Sequence, residues 1–333
     1  MFNKEIKNFN KDRCVFLENL VSVIMPVCNN ERHLEEAIES ILNQTYKNIE
    51  LLILDDGSKD KSLSIIEDYA MKNKNIRLIS RDNKGVAHSI DELIKYSKGE
   101  YIARMSGDDV SYKNRIETQL EYMKKNNDLS LIGSYVDVEL TDYKNDDDRL
   151  MCEKIFNFKI DKDNPGIKIL GGNRVCHGTF FGKSEIFKKV KYSSNLKSME
   201  DVEFIFKLIN EKYKIDMIEK KLYLNRVNSN FIHEQKMFNV NCNKENLMCK
   251  IEFLKKNLTG KNIFVLGTGK FSNELCNILR SNLNLEVEQI SKSSDLKNLN
   301  NEYMFILDKE NFENIENLLI LKGKKILKDF ILL

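Results

Sequence analysis

Residues 21–60 read VSVIMPVCNNERHLEEAIESILNQTYKNIELLILDDGSKD, and their pattern decides the fold. VSVIMPV is a short, β-branched run suited to a strand buried on both faces. HLEEAIESIL follows, placing Leu34, Ile38, Ile41 and Leu42 on one helical face. IELLILDD is a second strand, closed by a Gly-Ser turn and the helix SLSIIEDYAMK. The same alternation continues with IRLIS, VAHSIDELIKYSK and GEYIARM, the last running into SGDD. Strands alternating with helices imply an α/β fold with a parallel, doubly wound sheet. Such sheets bind ligands outside the carboxyl ends of their strands. PVCNNE, DDGSKD and SGDD all fall at such ends, so one crevice can hold all three.

The adjacent acids Asp108 and Asp109 leave two readings at this level. Gly and Asp are ordinary turn residues, and close carboxylates also suit a hard divalent cation that needs oxygen ligands. DDGSKD is likewise either a capped turn before a helix or part of a binding site. After Arg115 the chain continues with the helix RIETQLEYMKK, then LSLIGSYVDVEL. The polar stretch 141–163, with acids at Asp146, Asp147 and Asp148, reads as a surface excursion without chemistry. VCHGTFFGKSEIF reads as a strand running into a helix, and MEDVEFIFKLINEK as an amphipathic helix opening on acids.

Composition bounds the class. The chain has 333 residues, 41% hydrophobic and 31% charged, with a formal charge of +2. The length suits about two domains, and the balanced charge gives no argument for nucleic acid as a partner. The first twenty residues lack the apolar core of a signal peptide, and no run approaches a membrane span. Seven cysteines without a CxxC pair suit reduced thiols. The expectation is a cytoplasmic protein, and this reading admits a place at the inner membrane face. Segment boundaries are expected at 1–20 (leader), 21–232 (first domain), 233–258 (helical linker) and 259–333 (C-terminal module).

Taken in order, the segment 21–60, NKGVAHSIDELIKYSKGEYIARMSGDD and NRIETQLEYM resemble the nucleotide-sugar-binding half of family 2 glycosyltransferases, which have the GT-A fold. The resemblance continues through HGTFFGKSEIF and MEDVEFIFKLI to about Arg226. It implies an inverting transferase that moves a sugar from a nucleotide donor, UDP-linked, to a hydroxyl of a glycan or lipid-linked glycan in surface polysaccharide or lipooligosaccharide synthesis. It implies that Pro26 and Val27 line a uracil pocket, with Glu31 near the ribose and Asp56 accepting the imide N–H. Asp108 matches the acid that binds a Mn²⁺ or Mg²⁺ ion on the diphosphate, with Asp109 beside it and Arg104 a further pocket residue or a strand-end ion pair. Asp201 matches the general base, with Glu200 as its neighbour. His177 either lines the acceptor side or is a hydrogen-bonded structural histidine.

Two positions depart from the family pattern. Ser106 stands where the family has an acid, and Asn228 where it has a histidine. These admit a second reading, a non-catalytic nucleotide-sugar-binding or scaffolding protein. A nucleotidyltransferase is disfavoured, because PVCNNE stands where its glycine- and arginine-rich loop would be. Near the C-terminus, VLGTGKFSNEL approaches the GxGxxG of dinucleotide sites, but Ser272 replaces the third glycine. The module is expected to be a half-size Rossmann-like unit with a structural or self-association role, in preference to a nicotinamide site.

Overall fold

The structure, a computed structural model, describes residues 17–162, 165–166, 169, 173–193 and 199–232; beyond residue 261 it describes four strands and a few helical positions. The expected linker helix at 233–258 and the glycine turn at 267–272 lie outside the described residues.

Four parallel strands form the first half of an eight-stranded sheet: β1 (Leu17–Val27), β2 (Ile49–Asp56), β3 (Ile76–Arg81) and β4 (Gly99–Arg104). Between them run α1 (Leu34–Leu42), α2 (Ser62–Lys72) and α3 (Val86–Tyr96). Period-two alternation divides the apolar residues between the two faces of the sheet. Ile24, Leu52, Leu54 and Ile102 pack with Ile90 and Leu93 of α3, while Val23, Met25, Leu51 and Ile53 pack with Leu34, Ile38 and Ile66 of α1 and α2. Burial on both faces explains why these strands are continuous apolar runs.

The second half departs from the expected parallel sheet. It contains β5 (Val110–Ser111), α4 (Arg115–Lys125), β6 (Leu129–Leu140), β7 (Phe181–Lys183), α6 (Ser184–Lys189), α7 (Glu200–Asn210) and β8 (Lys214–Val227). The order is β3-β2-β1-β4-β7-β6-β8-β5. β7 is antiparallel to both β4 and β6, and β5 is antiparallel to β8. The sheet is therefore mixed, because apolar patterning carries no information on strand direction.

Two further expectations are corrected. The stretch 141–163 is not wholly an excursion, since α5 spans Asp146–Phe156, with Asn145 Oδ1 accepting the Asp148 N–H at 3.1 Å and Cys152 and Phe156 in the core. Its three acids sit in the first helical turn, where the helix dipole favours them. Leu17–Leu20 are not leader but the start of β1, where Leu17 pairs with Gly99 across an irregularity at which Asn19 has φ 58°. That break in alternation hides the strand's true start.

Beyond residue 261, β9 (Asn262–Leu266), β10 (Val287–Ile290), β11 (Tyr303–Leu307) and β12 (Phe330–Leu332) form an all-parallel sheet in the order β10-β9-β11-β12. Three of the four match the strands expected in the half-size module.

Candidate active site

Three loops leave the sheet at the carboxyl ends of β1, β2 and β4, and side chains tie them together. The Asn29 N–H donates to Ser58 Oγ (3.0 Å), and Asn29 Oδ1 accepts the Lys59 N–H (2.8 Å). The Asn30 N–H donates to Ser62 Oγ (2.8 Å), and Glu31 Oε2 accepts the Lys61 N–H (3.0 Å). Glu31, expected near a ribose, thus pins the β1 loop to the entrance of α2. Gly107 closes the third side, since a Cβ there would lie 3.0 Å from Val27 Cγ2 and 3.1 Å from Asn30 Oδ1. A residue with a side chain there would press on Val27 and Asn30, which would have to give by a few tenths of an ångström.

The acids of LDDGS divide their work. Buried Asp55 accepts the Ser58 N–H (3.3 Å) and the Ser80 hydroxyl (3.2 Å), so it is the turn-capping acid. Asp56 instead faces the end of β3. It accepts the Lys84 N–H (2.8 Å) on Oδ1 and the Gly85 N–H (2.9 Å) on Oδ2, and it pairs with Arg81. Arg81 also pairs with Glu92 of α3 at 2.8 Å. Gly57 between the loops has φ +71°, and a Cβ there would meet the Asn83 backbone nitrogen at 2.7 Å. The tight turn therefore needs glycine.

At the end of β4, the two acids of SGDD also differ. Asp109 is 3% exposed; Tyr223 donates its hydroxyl to Oδ2 (2.9 Å) and the Arg226 N–H donates to Oδ1 (2.7 Å). Burial and the neighbouring Asp108 charge push the Asp109 carboxyl above the usual carboxylate range. Asp109 thus anchors the loop to β8. Asp108 is half-buried, and its carboxylate accepts no hydrogen bond among the described residues; its backbone carbonyl accepts from Arg226 Nη1 at 3.0 Å. Tyr223 also accepts the Ser106 N–H (3.2 Å), and Arg226 pairs with Glu36 and Glu139.

Arg104 ends β4 beside this loop, and its backbone N–H donates to the Phe180 carbonyl (2.8 Å) on the segment that carries His177. It is 7% exposed, donates from Nη1 to Ser106 Oγ, and leaves Nε without a partner among the described residues. Its charge acts on His177 and Glu200. His177 Nδ1 lies 3.5 Å from Glu200 Oε1, and His177 Nε2 lies 3.0 Å from the Tyr192 hydroxyl. Burial and Arg104 lower the His177 pKa, so its contact with Glu200 at neutral pH joins a neutral imidazole to a carboxylate. Burial acts to raise the Glu200 carboxyl, but His177 and Arg104 outweigh it and hold it below the ordinary range. Asp201 is half-buried, with no hydrogen-bond partner for its carboxylate among the described residues. Met199, directly before these acids, has φ 67°, a left-handed conformation uncommon for a residue with a side chain.

Of the residues expected from sequence, Pro26, Val27, Glu31, Asp56, Arg104, Asp108 and Asp109 fall on the three linked loops. His177 lies on the segment joined to β4 through the Arg104 N–H and the Phe180 carbonyl, Glu200 meets His177, and Asp201 follows Glu200 in α7. Sequence reasoning did not find Arg81, Tyr223 or Arg115. Fully buried Arg115 donates to the Arg104 carbonyl at 2.7 Å and lies over the Tyr223 ring. Arg226 was noted only as the end of a resemblance.

No group of three or more His, Cys, Asp or Glu among the described residues could hold a metal. The donor set fits a cation that takes one protein carboxylate, Asp108, and completes its shell from a ligand's oxygens and water. The oxygens of Asp109 and the hydroxyl of Ser106 are already engaged.

The family model for glycosyl transferase family 2 matches residues 22–191, which contain every one of these loops. The chain belongs to glycosyl transferase family 2. It is 34% identical over 214 residues to EpsE of Bacillus subtilis, covering 63% of this chain and 73% of that one. It is 31% identical over 228 residues to Glycosyltransferase GlyG of Streptococcus pneumoniae, covering 65% of this chain and 73% of that one. Among solved structures, S. aureus TarS 1–349 in complex with UDP-GlcNAc is similar with a TM-score of 0.53 at 18% identity, covering 72% and 73% of the two chains. The mannosyltransferase PcManGT from Pyrobaculum calidifontis, in complex with GDP-Man and Mn²⁺, has the same TM-score at 13% identity, covering 79% and 68%. The chain spans 44% of the longer TarS structure. These structural likenesses establish the α/β fold shared with this family 2 chain.

Proposed function

We propose that this family 2 enzyme transfers a glycosyl group from a UDP-sugar to a hydroxyl of a glycan acceptor, with inversion. The observation that carries the reading is the meeting of four segments. Pro26–Glu31, Asp55–Asp60 and Ser106–Asp109 lie against one another, and Glu200 meets His177, whose segment is tied to the end of β4 by the Arg104 N–H donating to the Phe180 carbonyl at 2.8 Å. The first two segments form a base and ribose pocket, with Pro26 and Val27 as its floor and Asp56 at its end. Asp56 Oδ2 keeps a lone pair beyond the Gly85 N–H, and a carboxylate so placed can accept an imide N–H.

A divalent cation, held by Asp108, would neutralise charge on the departing diphosphate as a Lewis acid. The remaining work belongs to the side chains. Asp201 takes the acceptor hydroxyl proton as that oxygen bonds to the anomeric carbon. The bond from that carbon to the diphosphate oxygen breaks, and the electron pair leaves with UDP. Glu200, held by His177, is occupied as an anchor, which leaves Asp201 to face the acceptor. The acceptor we favour is a surface or lipid-linked glycan, made at the inner face of the membrane. No helix among the described residues is long and apolar enough to cross a membrane. The parallel sheet of β9–β12 is proposed to serve in structure or self-association.

The test is a panel of nucleotide sugars scored for thermal shift and for donor hydrolysis, with and without Mn²⁺. A ligand at a hundred times its Kd adds about 2.7 kcal/mol, enough for a clear shift. UDP-sugars should bind and turn over. Binding without turnover, with any candidate acceptor, would favour the non-catalytic reading that Ser106 and Asn228 admit. Asp56→Ala should raise the donor KM at least about tenfold while kcat changes little, since base recognition is mainly uniform binding. An unchanged KM would remove Asp56 from the pocket.

A further inference from the structure

Arg104 is a buried cation with no acid at ion-pair distance among the described residues. A charged side chain almost never reaches 7% exposure without a partner, because removing it from water is costly. Its guanidinium nevertheless forms no ion pair among the described residues, and Nε makes no hydrogen bond there. What it does contact is neutral, the Ser106 hydroxyl. The surrounding acids are committed elsewhere. Glu200 is held by His177, and Asp109 is taken by Tyr223 and the Arg226 N–H. Arg115, a second buried cation, lies below and donates to the Arg104 carbonyl. Two buried arginines therefore lie beside the SGDD loop, where Ser106 and Gly107 precede the two acids.

We propose that Arg104 binds the diphosphate of the donor directly, as a charge partner that Ser106 leaves available. The inference rests on the donor-site reading above and adds to it a residue role and a consequence. A guanidinium offers several fixed N–H donors suited to phosphate oxygens. An acid at position 106 would accept Nη1 and neutralise the arginine. With serine there, the guanidinium and the cation share the diphosphate charge. Affinity for UDP then survives removal of divalent ions better than a site relying on the cation alone.

Titration calorimetry with UDP and with uridine, in EDTA and in Mn²⁺, tests this on the full chain. Wild type should bind UDP in EDTA. Arg104→Gln should lose about 10- to 100-fold of that UDP affinity, the span of one charge-assisted hydrogen bond, and keep its affinity for uridine. Ser106→Asp, at a half-buried position and so tolerant of the change, should pair with Arg104. It should lower UDP affinity in EDTA by a similar factor and restore it in Mn²⁺. If both variants bind UDP in EDTA as the wild type does, Arg104 does not bind the diphosphate. If Arg104→Gln fails to fold, the Ser106→Asp result decides alone. If wild type binds neither UDP nor uridine, the donor-site reading falls and this inference with it.

Discussion

At the scale of single residues, His177 shows how burial sets chemistry. Its imidazole lies between Glu200 and the Tyr192 hydroxyl and is 11% exposed. Burial and Arg104 lower its pKa below 6.5 in the folded chain. The unfolded chain therefore takes up a proton near pH 6.5 that the folded chain refuses, so stability falls as pH drops below that value. Replacing His177 with Asn should flatten the fall in thermal midpoint between pH 6.5 and 5. A profile parallel to that of the wild type would show that His177 titrates as if exposed. The same histidine separates the two acids of α7, because it engages Glu200 and leaves Asp201 unengaged.

At the scale of elements, legibility followed local signal. Both ends of α2 and α4 match the stretches SLSIIEDYAMK and RIETQLEYMKK, where apolar residues recur at helical spacing. Strands β1 to β4 were legible because burial on both faces makes them continuous apolar runs. β8 was not, since its middle carries Glu219, Lys220 and Lys221, all exposed, where the pairing with β6 shifts register and the apolar alternation is broken. α5 was missed because three successive acids resemble a solvated loop, although a helix N-terminus favours them. Asn145→Ala removes the cap of α5 and should cost about 1 kcal/mol, measured by urea unfolding, with UDP binding unchanged. No change in stability would mean that the cap is replaced by water. In the proposed site, Asp56, Asp108, Glu200 and Asp201 stand in short motifs that point to them. Tyr223 was not, because it meets Asp109 across 114 residues and leaves no local pattern.

At the scale of the whole molecule, every loop of the proposed donor site lies within residues 22–191 and the proposed base within α7. A chain ending after Thr259 should therefore keep the UDP affinity of the full chain. Its stability or self-association is expected to change if the β9–β12 sheet serves in structure or assembly. A folded truncation that no longer bound UDP would place part of the donor site in the C-terminal module. As the proposed base, Asp201 acts on the acceptor and not on the donor. The direct measurement is UDP release from the preferred UDP-sugar, set beside the Kd for that donor, in wild type, Asp201→Asn and Glu200→Gln. Asp201→Asn should bind the donor as the wild type does and release UDP roughly 10²–10⁴ times more slowly, as loss of a general base implies, with Glu200→Gln less impaired. Wild-type turnover in Asp201→Asn would contradict the account, and a slower Glu200→Gln would exchange the roles of the two acids.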